Sequence, residues 1–203
     1  MTKNALLIFT RNPELGKVKT RLAKTVGDQT ALDIYNFLLK RTVEITRSIE
    51  VAKFVYYSED IFKDDLWNTK YYHKELQKGE HLGVRMRNAF EKAFVLGHDK
   101  VVIIGSDMYD MTEANIQEAF QQLENNDVVI GPAEDGGYYL LGLKKLIPEI
   151  FENKDWGTST VLKETLEQLK TYKVHKLEEL NDVDVFEDIE KHPAFTSFLK
   201  LIN

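Results

Sequence analysis

The amino-acid sequence predicts an α/β fold, a three-layer sandwich built around a mostly parallel central sheet. Two patterns in the sequence carry this prediction. Short apolar runs alternate with amphipathic stretches, which is the order expected when strands and helices alternate along a chain. The strongest runs are continuously rich in Val, Ile and Leu, as in strands that are covered on both faces. The chain has 203 residues, of which 43% are apolar, so we expect one domain over residues 1–203.

The strands and helices can be predicted in chain order. Strong apolar runs at residues 5–10, 51–57, 101–105 and 127–131, and weaker ones at 70–75, 138–143 and 172–177, predict strands. Apolar side chains at steps of three, four or seven predict helices over residues 31–49, 86–94, 116–123 and 162–169. Thr112 and Thr158 stand where an N-cap is expected, and Gly97 stands where a left-handed C-cap is expected.

The overall charge argues against polyanionic partners. The chain has a formal net charge of -6 and a charged fraction of 30%, so its field repels nucleic acid and anionic lipid, and a bound phosphate needs a local basic patch. The absence of cysteine excludes disulfides, thiolate metal sites and cysteine nucleophiles. The sequence shows neither a signal peptide nor an apolar run of membrane length. We therefore expect a cytoplasmic protein that binds neither nucleic acid nor membranes, and we leave a homodimer open.

A basic loop follows the first predicted strand. It holds four cations, Arg11, Lys17, Lys19 and Arg21, together with Gly16. The glycine lets the backbone approach a ligand closely, and the cations offer charge-assisted donors to phosphate oxygens. The loop is neither a P-loop nor a Gly-x-Gly-x-x-Gly turn. A phosphate-binding loop and a solvated basic turn both fit this composition, and the position at a strand end favours phosphate binding.

An aspartate follows the third strong apolar run. Asp107 comes two residues after Gly105, where the buried run ends. A carboxylate there can bind Mg²⁺ or Mn²⁺, hard ions that prefer oxygen ligands and often bridge to substrate phosphates. The alternative is that Asp107 only caps or turns the chain ahead of the helix expected after Thr112. Asp107 is therefore a candidate for both catalysis and metal binding.

A double glycine separates the next two predicted strands. Asp135, Gly136 and Gly137 precede Tyr138, and this combination is typical of a tight hairpin turn. The same residues also suit a binding site, because the glycines leave room for a sugar or acceptor and a carboxylate can hydrogen-bond a hydroxyl. We therefore name Asp135 a candidate catalytic residue, and the three residues after it candidate acceptor-binding residues.

Trp156 and Thr158 are further candidates for acceptor binding. An aromatic face can stack on a sugar or a base, and a hydroxyl can hydrogen-bond it. The alternative for Trp156 is a hydrophobic staple ahead of the following helix.

Motifs spread over nearly the whole chain resemble the bacterial family DUF2064. They are Pro13 with residues 16–22, Gln77 and Gly79 with residues 82–86, residues 105–107, residues 131–143, residues 156–162, and residues 182–188. The family is often labelled a glycosyltransferase, and the resemblance implies the glycosyltransferase-A-like fold of the nucleotide-diphospho-sugar transferases. It also implies that the first loop wraps nucleotide phosphates, with Lys19 and Arg21 as the best-matched contacts.

The resemblance further implies a metal and a wider set of phosphate contacts. It places the metal-binding aspartate at Asp107 and a second metal-side carboxylate at Asp184, with Mg²⁺ or Mn²⁺ as the cofactor. The chain departs from the family at Tyr109, where proline is usual, and at Val185, where threonine is usual. The full set of predicted nucleotide or phosphate contacts is Arg11, Gly16, Lys17, Lys19, Arg21, Gln77 and Gly79.

Together these residues predict a metal-dependent transferase that uses an activated nucleotide. The family resemblance favours glycosyl transfer from a nucleotide-sugar to a small acceptor. The Lys-x-Arg-Leu loop after the first strand instead resembles nucleotidyltransferases, which would act on a nucleoside triphosphate and a phosphorylated small molecule. A third alternative is a nucleotide-binding module without catalysis, to which the two departures from the family pattern point. The sequence leaves these alternatives open.

Overall fold

In the computed structural model, which describes residues 3–200, seven strands form one sheet. In chain order they are β1 (Asn4–Thr10), β2 (Ala52–Tyr57), β3 (His73–Leu76), β4 (Lys100–Gly105), β5 (Val128–Pro132), β6 (Tyr138–Leu143) and β7 (Val174–Lys176). The sheet order is β3-β2-β1-β4-β6-β5-β7, and β6 runs antiparallel to both of its neighbours while the other pairs are parallel. The predicted α/β fold with a mostly parallel sheet is confirmed.

Helices cover both faces of this sheet. In the described part of the chain they are α1 (Thr20–Val26), α2 (Asp28–Arg47), α3 (Leu82–Val95), α4 (Glu113–Gln122), α5 (Val161–Gln168) and α6 (Thr196–Leu199), with short 3-10 helices at Pro148–Phe151, Phe186–Asp188 and Pro193–Phe195. Helices α2 and α4 pack on one face, and α3 and α5 pack on the other. The predicted three layers are therefore present. Across residues 3–200, no helix has both the length and the apolar character needed to cross a membrane.

The apolar strands are covered on both faces because side chains alternate along a strand. In β1, Leu6 and Ile8 pack with α2 and α4, while Ala5 and Leu7 pack with α3. All four side chains are fully buried, and burying each Leu or Ile contributes about 1.5–3 kcal/mol. The central strands β1 and β4 are held in parallel register, so their carboxyl ends lie at the same edge of the sheet.

The strand order reverses between β1 and β4. The chain continues from β1 to β2 on one side, and β4 lies on the other side. Such a reversal opens a crevice beyond the carboxyl ends of the two strands, where ligands bind in open α/β sheets. The loops at residues 11–19 and 106–112, which follow these strands, therefore begin at the crevice.

The segment that follows β7 returns to this crevice. The amide of Val183 donates a hydrogen bond to the carbonyl of Asp107 at 3.2 Å. Val183 is buried in a cluster with Phe195 and with apolar residues of α1 and α2. Tyr109 stacks on Phe37 of α2 in the same region, with ring centroids 5.4 Å apart. The residues on either side of Val183 are thereby fixed beside the end of β4.

Two predicted helix caps are confirmed and one is wrong. Thr112 caps α4 in a reciprocal arrangement with Asn115, and Gly97 follows α3 with φ 88. Thr158 does not cap α5, which begins later, at Val161. Its hydroxyl instead donates to the carbonyl of Asp155 at 2.8 Å.

Two element predictions also need correction. The strand expected at residues 70–75 begins later, because the amides of Tyr71 and Tyr72 close a turn on the carbonyl of Asn68. The short helix α1 was not predicted, because seven residues hold too few apolar positions to show a helical period.

Candidate functional site

A first cavity, of about 580 Å³, opens at the carboxyl ends of β1 and β4. This volume lies within the range of small-molecule pockets. The cavity is bounded by the loops after β1, β2 and β3 and by the start of α3. Its charged lining residues are Arg11, Lys17, Glu59, Glu80, Arg85 and Asp107, and the others are Phe9, Thr10, Asn12, Ser58, Gln77, His81, Leu82, Gly105 and Ser106.

A second cavity, of about 290 Å³, adjoins the first, and the two share Leu82, Gly105 and Asp107. Its wall is mainly apolar and aromatic. Among the described residues, no Lys or Arg lines it, whereas three carboxylates do. The residues that line the second cavity but not the first are Met86, Met108, Ala133, Asp135, Gly137, Tyr138, Tyr139, Trp156, Gly157, Thr158, Val161 and Asp182.

Lys19 holds the basic loop against Asp107, at the seam of the two cavities. Its backbone adopts the left-handed conformation, with φ 48 and ψ 43, which costs a non-glycine residue about 1–3 kcal/mol. Nζ of Lys19 lies 2.6 Å from Oδ2 of Asp107. The Lys19 side chain is 4% exposed and that of Asp107 is 43% exposed, so the cation is fixed while the carboxylate stays open to a ligand.

The cations that line the first cavity, Arg11, Lys17 and Arg85, are more accessible than Lys19. Nζ of Lys17 lies 2.7 Å from Oε2 of Glu14 and 3.6 Å from Oε2 of Glu59, and the bond to Glu14 is the main cause that raises the pKa of Lys17. Arg11 is exposed, and Arg85 at the start of α3 is half-buried. Three cations therefore line the first cavity, together with the carboxylates of Glu59, Glu80 and Asp107.

Of the remaining predicted phosphate contacts, Gln77 lines this cavity and Gly16 and Gly79 do not. Gln77 lines it, but its amide nitrogen donates to the backbone carbonyls of two strand ends at 3.0 and 3.1 Å, so Gln77 joins those strands. Gly79 accepts a hydrogen bond from Nε of Arg85 at 3.0 Å. Gly16 has φ 72 and forms part of the turn in the basic loop.

Arg21 and Asp184 contact each other on the wall of a third cavity. Nη1 of Arg21 lies 2.6 Å from Oδ2 of Asp184, and the Arg21 side chain is 67% exposed. Both residues line the third cavity, which measures about 260 Å³ and also includes Asp188. The structure therefore brings these two predicted residues together, but it does not place them on the wall that contains Asp107.

Asp182 faces the second cavity together with Asp107 and Asp135. Burial, followed by the charge of Asp135, raises the pKa of Asp182 to about 6, while the charge of Lys19 opposes this shift. The charges of Asp107 and Asp184 raise it further. Such a shift indicates an excess of negative charge in a poorly solvated place.

This set of carboxylates suits a hard cation that also binds substrate oxygens. Mg²⁺ is usually held by one or two carboxylates together with substrate phosphates. Within residues 3–200, no group of three or more His, Cys, Asp or Glu side chains is close enough to hold a metal by itself. Asp107 and Asp182 therefore fit a metal ion only if a substrate completes its coordination.

The turn between β5 and β6 is both a hairpin and a cavity wall. The amide of Ala133 donates to the carbonyl of Gly137 at 3.1 Å, which confirms the predicted tight turn. Oδ1 of Asp135 accepts from the amide of Gly137 at 2.7 Å, and both residues line the second cavity. Gly136 lies outside that wall, and its carbonyl accepts from the amide of Leu162 at 2.9 Å.

Trp156 reaches the second cavity because helix α3 offers a glycine against it. A Cβ atom on Gly83 would lie 2.5 Å from Nε1 of Trp156 and 2.5 Å from the carbonyl oxygen of Phe151. Only glycine leaves room for this approach. The predicted acceptor residues that line the cavity are Gly137, Tyr138, Trp156 and Thr158.

The chain matches a known protein family. The family described as "Uncharacterized protein conserved in bacteria (DUF2064)" matches residues 42–158, which is more than half of the chain. The chain belongs to the DUF2064 family. The resemblance seen in the sequence is therefore confirmed, and the basic loop and Asp182 lie outside the matched residues. No curated protein matches this DUF2064 chain.

Solved structures share the fold of this DUF2064 protein. A provisionally named nucleotide-diphospho-sugar transferase from Desulfovibrio desulfuricans G20 is 31% identical, with a TM-score of 0.86 and coverage of 99% of this chain and 95% of that chain. A 4-diphosphocytidyl-2C-methyl-D-erythritol synthase from Anaerococcus prevotii DSM 20548 is 13% identical, with a TM-score of 0.60 and coverage of 96% of each chain. A cytidylyltransferase from Leptospira borgpetersenii is 15% identical, with a TM-score of 0.59 and coverage of 100% and 93%. The last two show likeness of fold alone.

A buried hydroxyl network lies beneath the site of the DUF2064 protein. Oη of Tyr35, in α2, lies 3.1 Å from Oγ1 of Thr10 and 3.2 Å from Oγ of Ser106, and it accepts from the amide of Arg11 at 2.9 Å. Ser106 also donates to Oδ1 of Asp107 at 3.4 Å. Burial, followed by the charge of Asp107, raises the pKa of Tyr35 to about 12. The protonated phenol therefore ties α2 to the ends of β1 and β4.

We expect Tyr35→Phe to lower the free energy of unfolding by about 1–3 kcal/mol, because it leaves buried partners of the hydroxyl unsatisfied. We also expect a smaller rise in melting temperature on adding nucleotide, because Asp107 and the basic loop lose a common anchor. Tyr72→Phe is the matched control, since its buried hydroxyl bonds to Thr46 at 2.9 Å away from the three cavities. If both variants lose the same part of the nucleotide-induced rise in melting temperature, Tyr35 does not position Asp107 and the basic loop.

Sequence reasoning did not assign three residues of this site. Asp182 lies beside the predicted Asp184, and alternation along the chain does not say which of the two faces the cavity. Tyr35 belongs to the core stripe of α2, so its hydroxyl was not expected at the site. Arg85 lies within the family motif at residues 82–86, and its charge in that motif is the signal that could have identified it.

Proposed function

We propose that this protein transfers a glycosyl group from a nucleotide-sugar to a hydroxyl of a small, uncharged acceptor. One observation carries the proposal: two adjoining cavities meet at Asp107, and the first is lined by three cations as well as three carboxylates, whereas the second is lined by carboxylates and aromatic rings with no Lys or Arg among the described residues. The diphosphate of a donor suits the first cavity, because Arg11, Lys17 and Arg85 can donate charge-assisted hydrogen bonds to its oxygens. The glycosyl bond of the donor would then lie at the seam.

The second cavity favours glycosyl transfer over nucleotidyl transfer to a phosphorylated acceptor. Asp107, Asp135 and Asp182 would repel an acceptor phosphate. Lys19 offsets part of this charge through its pair with Asp107, but no Lys or Arg among the described residues lines the cavity. The same carboxylates can accept hydrogen bonds from hydroxyls, and the rings of Tyr138 and Trp156 can pack on a sugar face. An uncharged acceptor with hydroxyl groups therefore matches this cavity.

In the proposed reaction, the acceptor hydroxyl attacks the anomeric carbon of the donor while the bond from that carbon to the diphosphate breaks. Asp135 is the proposed acceptor of the hydroxyl proton, and the nucleoside diphosphate leaves with the electron pair. Lys19 and the cations of the first cavity stabilise the charge that develops on the leaving group. Catalysis would then depend mainly on positioning and electrostatics.

We also propose Mg²⁺ or Mn²⁺ as a cofactor, held by Asp107 and Asp182 together with donor diphosphate oxygens. Asp184, which the family resemblance implies as the second ligand, is less suited because it lines the third cavity and not the second, where Asp107 and Asp182 lie. When bound, the metal would neutralise charge on the leaving diphosphate. Burial and then the charges of neighbouring carboxylates raise the pKa of Asp182, and the metal would offset those charges.

Nucleotidyl transfer is the second candidate function. The observation that favours it is the buried Lys19 at the seam, since a fixed cation suits a phosphoryl group in transfer. The transition state of glycosyl transfer is oxocarbenium-like and gains less from such a cation. The names of the synthase and the cytidylyltransferase agree with this candidate, whereas the name of the more similar D. desulfuricans protein agrees with the first.

The two departures from the family pattern give no support to a module without catalysis. Tyr109 is accommodated by its stack on Phe37. The amides of Val185 and Asp184 donate to Oδ2 of Asp188 at 2.7 and 2.8 Å, which holds the start of the 3-10 helix without a threonine hydroxyl.

Nucleotide binding and product identity test the proposal. With Mn²⁺ or Mg²⁺, we expect at least one nucleotide-sugar to raise the melting temperature by roughly 5–10 °C at a hundredfold excess over its Kd. Chromatography should then detect release of the nucleoside diphosphate. Release of pyrophosphate from a nucleoside triphosphate, without any use of nucleotide-sugars, would decide for nucleotidyl transfer. If neither class shifts the melting temperature under any metal condition, both candidates are wrong.

A further inference from the structure

Two polar atoms beside the second cavity have no hydrogen-bond partner in the described part of the chain. They are Oη of Tyr138 and Nε1 of Trp156, and both are buried. Buried polar groups are almost always paired, because an unpaired one loses its bonds to water without replacement. Burial also raises the pKa of Tyr138, so its phenol keeps its proton and can donate.

The chemistry of the cavity wall determines which ligand could satisfy these atoms. An indole N–H can only donate, so Trp156 needs an acceptor such as a hydroxyl or ring oxygen. Ionised Asp135 can only accept, so the ligand must also donate. A phosphate or carboxylate would meet three carboxylates on this wall, whose charge Lys19 offsets only in part through its pair with Asp107. A volume of about 290 Å³ suits one sugar-sized ring better than a chain of sugars.

We propose that the second cavity selects an uncharged polyhydroxy compound of about one ring, of the monosaccharide or cyclitol class, with Tyr138 and Trp156 as its specificity-determining donors. This rests on the proposed function, in which the second cavity holds the acceptor. Both side chains line the cavity, and residues 152–160, which carry the indole, are mostly exposed. Nε1 of Trp156 packs against Gly83 in the free protein, so the proposal requires the indole to turn toward the ligand.

Tyr138→Phe tests whether the Tyr138 hydroxyl is free to bind a ligand or stabilises the fold. Because the Tyr138 hydroxyl has no partner in the free protein, its removal should leave the melting temperature unchanged or raise it. The matched control is Tyr139→Phe, since the Tyr139 hydroxyl donates to the carbonyl of Glu178 at 3.1 Å and its loss should lower the melting temperature. An equal decrease in both variants would overturn the proposal, because it would reveal a protein partner for Tyr138.

Ligand selection is tested with matched pairs, myo-inositol against an inositol monophosphate and glucose against a glucose phosphate. Calorimetric titration in the presence of a nucleoside diphosphate should show the wild type binding the uncharged member at least about tenfold more tightly. Tyr138→Phe and Trp156→Phe should each weaken that binding by about tenfold, the effect of one lost hydrogen bond.

Tighter binding of the phosphorylated members, or unchanged binding by both variants, would overturn the proposal. Selective binding of the uncharged members without transfer from any nucleotide-sugar would support it and would instead overturn the proposed function. The two failures are therefore distinguishable.

Discussion

Asp107→Asn is expected to reduce turnover by at least about 100-fold, because it removes the carboxylate at the seam where donor and acceptor would meet. The side chain keeps its shape, and the amide oxygen can still accept a hydrogen bond from Nζ of Lys19, which lies 2.6 Å from Oδ2. The fold should therefore persist, with some loss of stability because the buried Lys19 ammonium loses its counter-charge. The site loses the negative charge that would hold a metal ion. The measurements are the rate of nucleoside diphosphate release and the metal-dependent part of the thermal shift.

Asp110→Asn is the matched control for this variant. Asp110 follows the same strand end and is exposed, and its Oδ1 lies 3.2 Å from Nε2 of His192. It lines none of the three cavities, so turnover should stay close to that of the wild type. If Asp107→Asn retains both turnover and metal-dependent binding, the proposed role of Asp107 in the reaction is wrong.

Gly136→Ala is expected to destabilise the protein by roughly 2–5 kcal/mol, the sum of a strained backbone and a steric clash. Gly136 has φ 87, and an added Cβ would lie 2.2 Å from the carbonyl oxygen of Ser159. The turn cannot shift freely, because the amide of Leu162 donates to the Gly136 carbonyl at 2.9 Å. The melting temperature should fall by roughly 5–15 °C. Acceptor binding should weaken as well, since Trp156 precedes the displaced residues.

Gly97→Ala separates the cost of backbone strain from the cost of the steric clash. Gly97 has φ 88. Among the described residues, no atom apart from those of its chain neighbours and the helix before it lies within 4 Å of an added Cβ. Its substitution should therefore cost only the backbone strain, about 1–2 kcal/mol. Thermal or denaturant unfolding of both variants gives the difference. An equal loss of stability would mean that the turn and Ser159 are not in close contact.

The fold could be predicted because its strongest signals are local. Leu7 and Leu6 in β1 point to opposite faces and are both apolar, so the sequence itself shows that helices cover both sides. The boundaries of strands and helices were harder to predict. The start of β3 depends on a turn at Asn68, whose hydrogen bonds leave no pattern in the sequence.

The candidate site was only partly predictable, because side-chain direction depends on backbone details that no periodicity encodes. Lys19 and Arg21 are equivalent as cations in the sequence. The left-handed backbone at Lys19 turns its side chain inward, and α1 begins at the next residue, so Arg21 reaches Asp184 instead of the first cavity. Asp182 faces the second cavity because of the hydrogen bond between Val183 and the carbonyl of Asp107, a contact between distant parts of the chain.

That same hydrogen bond has a consequence for how the protein is made. The strands that supply Lys19 and Asp107 leave the ribosome well before residue 182, so the basic side of the site can form while later residues are still being added. The wall of the second cavity that contains Asp182 cannot exist until Val183 has docked on Asp107. During synthesis, the capacity to bind an acceptor should therefore appear last, after the nucleotide side of the crevice is complete.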